Sequence, residues 1–238
     1  MLQVREPSAV LDTGGAWPCV VFDAVLEAPD ALVELACQHR AAFAVHPGTA
    51  YPGLELPLPP AVAQRIADAF EPMFADRLGV GARLDVHGRL AMVTVEPGAL
   101  APIQRVCHRD RLAVPAGERA LAAVLYLFHE TALGGTSFFS PRRDAAQTEA
   151  LMAYLAQCSA AEADALLGAE RGYLTQSNAQ FELRRCIEPR WNRLIVYDGC
   201  QFHCSHIERG VRLSDDPRHG RLTLNLFMRY QDAHRNAS

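Results

Sequence analysis

A chain of 238 residues with 50% hydrophobic content is long enough to bury one substantial core, and no shift in composition marks a second domain, so a single domain over 1–238 is expected. The formal net charge of -4 supplies no global attraction to nucleic acid or anionic lipid. All 23 cationic side chains are arginine, which excludes a P-loop phosphate site, a pyridoxal Schiff base and a lysine general base, and leaves Arg or protonated His as the only carboxylate-binding cation.

Seven cysteines, an odd number without a CxxC pair, argue against a disulfide scaffold and a four-cysteine zinc site. The stretch Met1 to Pro7 lacks the basic start and apolar run of a signal peptide, and no apolar run is long enough to span a bilayer. A cytoplasmic protein with neither a membrane nor a nucleic-acid partner is expected.

In chain order, Trp17 to Phe22 reads as a buried strand, and Asp30 to Phe43 as an amphipathic helix with Leu32, Leu35 and Ala36 on one face and Asp30 as N-cap. A Pro/Gly-rich loop from Pro47 to Pro60 leads to a second helix, in which Val62, Ile66, Ala69 and Met73 recur at helical spacing, Pro60 sits near the start and Pro72 falls inside. Arg83 to Val86 and Leu90 to Val95 read as strands joined by a turn at Gly88. Ala120 to Phe128 is a near-continuous apolar run, and Gly134 to Phe139 a turn into another strand. Asp144 to Glu170 is alanine-rich with Leu151, Leu155, Leu166 and Leu167, which predicts one or two inserted helices. Arg193 to Tyr197, Gln201 to Ile207 and Arg221 to Met228 complete the strands. Helices first, short strands afterwards and one helical insertion at about 144–170 predict a mostly β chain with flanking helices, a double-stranded β-helix or jelly roll.

The sharpest local feature is Cys107-His108-Arg109-Asp110, because residues two apart project to the same side of an extended segment, so one strand end offers an imidazole and a carboxylate. A third ligand from a distant strand would complete a two-histidine, one-carboxylate set that leaves metal positions open. His203 and His206 are the candidates. They differ by an odd number of residues, so a regular strand directs only one of them inward. His203 directly follows the apolar Phe202, whereas His206 falls near the strand exit but closer in sequence to Arg221. Arg221 opens the next strand, where a guanidinium could clamp a carboxylate through two parallel hydrogen bonds.

These residues resemble the prolyl-hydroxylase-like branch of the Fe(II)/2-oxoglutarate oxygenases, and more closely a set of bacterial relatives of unassigned substrate. Val20-Val21-Phe22-Asp23 with the helix after it is similar to the opening of that family, and Tyr51-Pro52-Gly53 to a loop of those relatives. His108-Arg109-Asp110 matches the HxD motif. Leu125-Tyr126-Leu127 followed by Gly134 to Phe138 resembles its paired strands, with Phe128 where Asn is usual. Asn192 to Tyr197 and Phe202-His203 resemble the approach to the distal metal histidine, and Arg221 to Leu224 the strand of the cosubstrate cation.

The resemblance implies His108, Asp110 and His203 (alternative His206) as ligands of Fe(II), and Arg221 with Tyr126 as the residues that hold the far carboxylate of 2-oxoglutarate. The usual distance from distal histidine to cation is shorter, so Glu208 to Gly220 reads as an inserted loop, which brings in Arg212 as a substitute for Arg221. The implied reaction consumes O2 and 2-oxoglutarate and hydroxylates a C–H bond of an amino-acid, peptidyl or natural-product substrate. The alternatives are a jelly-roll metal-binding protein and a metalloenzyme that does not use 2-oxoglutarate. The helical insertion would either cap the site or pack outside it.

Overall fold

The computed structural model describes residues 6–46, 50–111 and 113–233. Its elements follow in order as β1 (Ala9–Leu11), β2 (Cys19–Phe22), α1 (Asp30–Gln38), β3 (Gly53–Pro57), α2 (Pro60–Leu78), β4 (Val80–Val93), β5 (Glu118–Tyr126), β6 (Thr136–Pro141), α3 (Ala145–Leu155), α4 (Ala160–Leu167), β7 (Phe181–Ile187), β8 (Leu194–Asp198), β9 (Phe202–Ser205) and β10 (Arg221–Asp232). Seven strands form one antiparallel sheet in the order β1-β2-β8-β5-β10-β4-β3, and three form a second in the order β7-β6-β9. The expected jelly roll with N-terminal helices and a helical insertion is the architecture found.

Strand periodicity decides what each face of the large sheet carries. Along β10, Leu222, Leu224, Leu226 and Met228 join the core beneath the helices, where Phe70, Met73 and Phe74 of α2 and Val33 and Ala36 of α1 cover the sheet. The intervening Arg221, Thr223, Asn225 and Phe227 face the other way, into a cleft between the two sheets. Burying one large side chain of this core contributes about 2–3 kcal/mol, so the alternation fixes the register of β10 and aims its polar residues at the cleft.

Several expectations need correction. Gly88 is no turn: β4 runs unbroken from Val80 to Val93, and Gly88 lies opposite Leu226, whose Cδ2 a Cβ at this position would meet at 2.7 Å. Glycine here makes room for a core leucine. The first helix ends at Gln38 and continues as a 3-10 turn over Arg40–Ala42, and Asp30 is its first residue with no side-chain cap. In α2 the buried face carries Ala63, Ala67, Phe70 and Phe74 as well as Met73, while Val62 is 37% exposed, and the helix passes through Pro72. Within the expected Pro47 to Pro60 loop, residues 47–49 lie outside the described residues and Gly53–Pro57 is strand, pairing with β4 at the sheet edge. The short β1 and the polar β7 are also edge strands, too short or too charged to carry an alternation signal.

The insertion packs outside. Leu151 and Leu155 of α3 and Ala163 of α4 share a core with Phe139, Phe181 and Phe202 on the outer face of the small sheet. Asp144 caps α3 through Gln147 N (2.8 Å), and Ser159 with Glu162 forms a capping box on α4. Arg105, buried just before the HxD segment, ties the insertion down through Asp164 (2.7 Å) and the Gly168 carbonyl (2.6 Å). Among the described residues no helix is long and apolar enough to cross a membrane.

Candidate metal centre

The HxD segment is not part of a named strand. A single antiparallel bridge attaches it to β9: the amide of His108 donates to the carbonyl of His203 (2.9 Å), and that of His203 to the carbonyl of His108 (2.8 Å). This pairing sets the two histidines directly opposite each other, with ring centroids 4.5 Å apart. Asp110, two residues on, returns to the same side. Its Oδ1 lies 3.7 Å from His108 Nε2 and its Oδ2 3.4 Å from His203 Nε2. One donor atom from each of the three residues falls within 4.8 Å of the others, and among the described residues no other group of metal-ligating side chains does so.

The surroundings prepare these atoms to bind a metal. Nδ1 of His203 lies 2.9 Å from the Gln201 carbonyl, to which it donates, so Nε2 is left with its lone pair facing Asp110. Tyr197 packs against the His203 ring edge-on at 4.8 Å, with Phe138 behind both. Asp110 Oδ2 is buried and accepts no hydrogen bond among the described residues. Burial pushes the Asp110 carboxyl above its ordinary range, against the pull of His203 and Arg89. Burial, then His203 and Arg89, hold the His108 imidazole well below its ordinary range, and therefore neutral. The Nε2 atoms of His108 and His203 and a buried carboxylate oxygen of Asp110 make a donor set that fits a divalent cation of the Fe(II) class.

His206 is placed elsewhere. It follows the end of β9, with Nδ1 2.6 Å from Ser137 Oγ and Nε2 3.2 Å from Glu208. The structure thus brings together His108, Asp110 and His203 and leaves His206 outside the cluster.

Arg221, 3% exposed, lines the same cleft. Its Nε donates to the Gly134 carbonyl (3.0 Å) and its Nη2 to the Gly135 carbonyl (2.7 Å), so the guanidinium is held by backbone and Nη1 remains for a ligand. The glycine pair is required by close approach. A Cβ on Gly134, at φ +82°, would lie 1.7 Å from the His206 carbonyl oxygen, and one on Gly135 1.8 Å from that of Ile187. Arg212 is exposed on the loop before β10 and does not line the cleft. Tyr126 is fully buried, and its hydroxyl bonds Thr136 Oγ1 (2.8 Å), so it reaches the cleft only through Thr136.

Four lining residues escape the sequence pattern. Tyr51 presents a buried hydroxyl beside Thr223, and burial pushes it up to about 12 despite the nearby Arg221 and Arg89. Arg89 on β4, Asn225 on β10 and Tyr197 on β8 also face the cleft. Once β4 is continuous, Arg89 shares a face with the buried Ala91 and Val93, a signal hidden when Gly88 is read as a turn.

Solved structures with similar folds include SnoK, described as a non-heme alpha ketoglutarate dependent carbocyclase from nogalamycin biosynthesis (14% identity over 92% of this chain and 84% of that one, TM-score 0.51). A prolyl 4-hydroxylase from Phytophthora capsici (15%, 92% and 60%, TM-score 0.46) and HygX from Streptomyces hygroscopicus, solved with nickel and 2-oxoglutarate (13%, 90% and 82%, TM-score 0.49), are further neighbours. The chain spans 60% of the length of the Phytophthora protein. No curated protein matches its sequence. The fold is that of the Fe/2-oxoglutarate oxygenases. Residues 8–228 match one family model, and the chain belongs to that family, the family of unknown function DUF6445.

Proposed function

We propose that this protein is an Fe(II)- and 2-oxoglutarate-dependent dioxygenase that hydroxylates a C–H bond of an amino-acid, peptidyl or natural-product substrate. The observation that carries this reading is the convergence of His108, Asp110 and His203 in one cleft with a buried, backbone-held Arg221. The SnoK fold, which belongs to an alpha ketoglutarate dependent enzyme, supports it.

Each residue has a definite task. His108, Asp110 and His203 hold the metal on one side, with His203 oriented by Gln201. Arg221 holds the far carboxylate of 2-oxoglutarate, with the buried Tyr51 hydroxyl and Thr136 completing its hydrogen bonds and Tyr126 fixing Thr136. Phe138 and Tyr197 exclude water from the His203 side. The bound iron and cosubstrate supply the oxidation, in which O2 is consumed and 2-oxoglutarate leaves as succinate and CO2. The reaction takes place within one domain of a cytoplasmic protein.

Anaerobic titration tests the assignment: a weak visible absorption band is expected when Fe(II) and 2-oxoglutarate are both added, and with neither alone. Iron binding without that band would leave a jelly-roll metalloprotein that does not use 2-oxoglutarate. Oxygen-dependent succinate release then separates an enzyme from a binding protein.

A further inference from the structure

We propose that Arg89 forms a second carboxylate-binding position in the cleft, which holds an acid group of the primary substrate over the His108, Asp110 and His203 centre. This inference rests on the oxygenase reading above and names the substrate class, a carboxylate on an apolar body.

The strand register sets the two cations apart. Arg221 lies opposite Val93, and Arg89 opposite Asn225, four residues further along β10. At about 3.3 Å per residue that is roughly 13 Å of strand. A five-carbon dicarboxylate with one end on the metal and the other on Arg221 leaves Arg89 over. Both cations line the same cleft as His108, Asp110 and His203, with Arg221 held by the Gly134 and Gly135 carbonyls and Arg89 against Phe227.

Arg89 is fixed yet incompletely used. Its Nη1 pairs with the buried Glu55 at 2.7 Å, and its guanidinium lies against the rings of Phe227 (4.7 Å) and Tyr51 (5.4 Å). Its Nε is buried and has no hydrogen-bond partner among the described residues. The side chain of Asn225, 7% exposed and directly across the ladder, lines the same cleft. Buried donors are satisfied by something, and the unused N–H of the Arg89 guanidinium calls for a ligand that offers acceptors. A carboxylate meets the guanidinium fork best. The wall beside Arg89, made by Phe227, Val124 and Tyr197, suits an apolar body.

The test uses the Zn(II)-loaded protein with 2-oxoglutarate, which cannot turn over, and two probes of matched size, phenylacetate and phenylacetamide, followed by ligand-observed NMR. Wild type is expected to bind the carboxylate about tenfold or more tightly than the amide. Arg89→Gln should abolish that preference while 2-oxoglutarate affinity stays within about threefold. The E55Q/R89Q pair should behave like R89Q while removing both charges of the buried pair together, which separates recognition from misfolding. Lack of preference in wild type, or its survival in both variants, overturns the proposal. So does loss of 2-oxoglutarate binding in R89Q, since Arg89 would then serve the cosubstrate. The same comparison without metal or 2-oxoglutarate reads Arg89 even if the oxygenase reading fails.

Discussion

Arg221→Met removes every donor of the proposed cosubstrate anchor while keeping an unbranched chain of similar reach. Truncating one partner of a buried, hydrogen-bonded charge pair costs about 2–5 kcal/mol of binding, so at ~1.4 kcal/mol per decade 2-oxoglutarate affinity should fall by roughly 30-fold or more. The fold pays separately. The Gly134 carbonyl loses its donor, whereas the Gly135 carbonyl still accepts from His206 N at 3.0 Å, so one stranded acceptor and one lost bond predict about 2 kcal/mol of destabilisation. Metal affinity should hold, since the guanidinium touches none of the three candidate ligands. The assays are anaerobic Fe(II)/2-oxoglutarate titration by visible absorption, urea unfolding, and metal titration alone. Cosubstrate affinity within threefold of wild type in R221M, or a comparable loss in Arg212→Ala, would refute the reasoning.

His203→Ala should weaken divalent metal binding by about 100-fold or more while His206→Ala leaves it within threefold, read by competition with a metallochromic chelator; equal losses would contradict the single-bridge geometry. Gly134→Ala forces a Cβ onto a backbone carbonyl at positive φ, with no flexible side chain to give way, and should cost about 3 kcal/mol or more, a drop of several degrees in Tm. Asp23, 23% exposed, is gripped by Arg193 (2.7 and 3.1 Å) and Arg190 (3.1 Å), and the Arg193 hydrogen bonds hold its carboxyl below the ordinary value. Its contribution is therefore full above about pH 4 and lost as pH falls through the lower folded value. Asp23→Asn should cost about 1–2 kcal/mol in urea midpoint experiments at pH 7 and progressively less toward pH 3; a cost that grows on acidification would reverse the sign of the argument.

Local spacing along the chain was enough for features that depend on neighbours a few residues away. His108 and Asp110 fall on one side of an extended segment because side chains alternate, and the same rule splits β10 into a leucine face and a polar face led by Arg221. Parity also dictated that His203 and His206 could not both point inward. Which of them does was settled only by the pairing of β9 with the HxD segment across nearly a hundred residues of chain, since no local pattern encodes a bridge between distant backbones. Tertiary contact likewise turned Gly88 from a turn into a gap for Leu226, made strand of Gly53–Pro57, and sent the insertion to the outer face of the small sheet, where Phe139, Phe181 and Phe202 needed cover. Arg89 shows the division most clearly. Its residue type is plain in the sequence, but its place beside the candidate metal ligands exists only once β4 runs through Gly88 and lays Arg89 against Asn225.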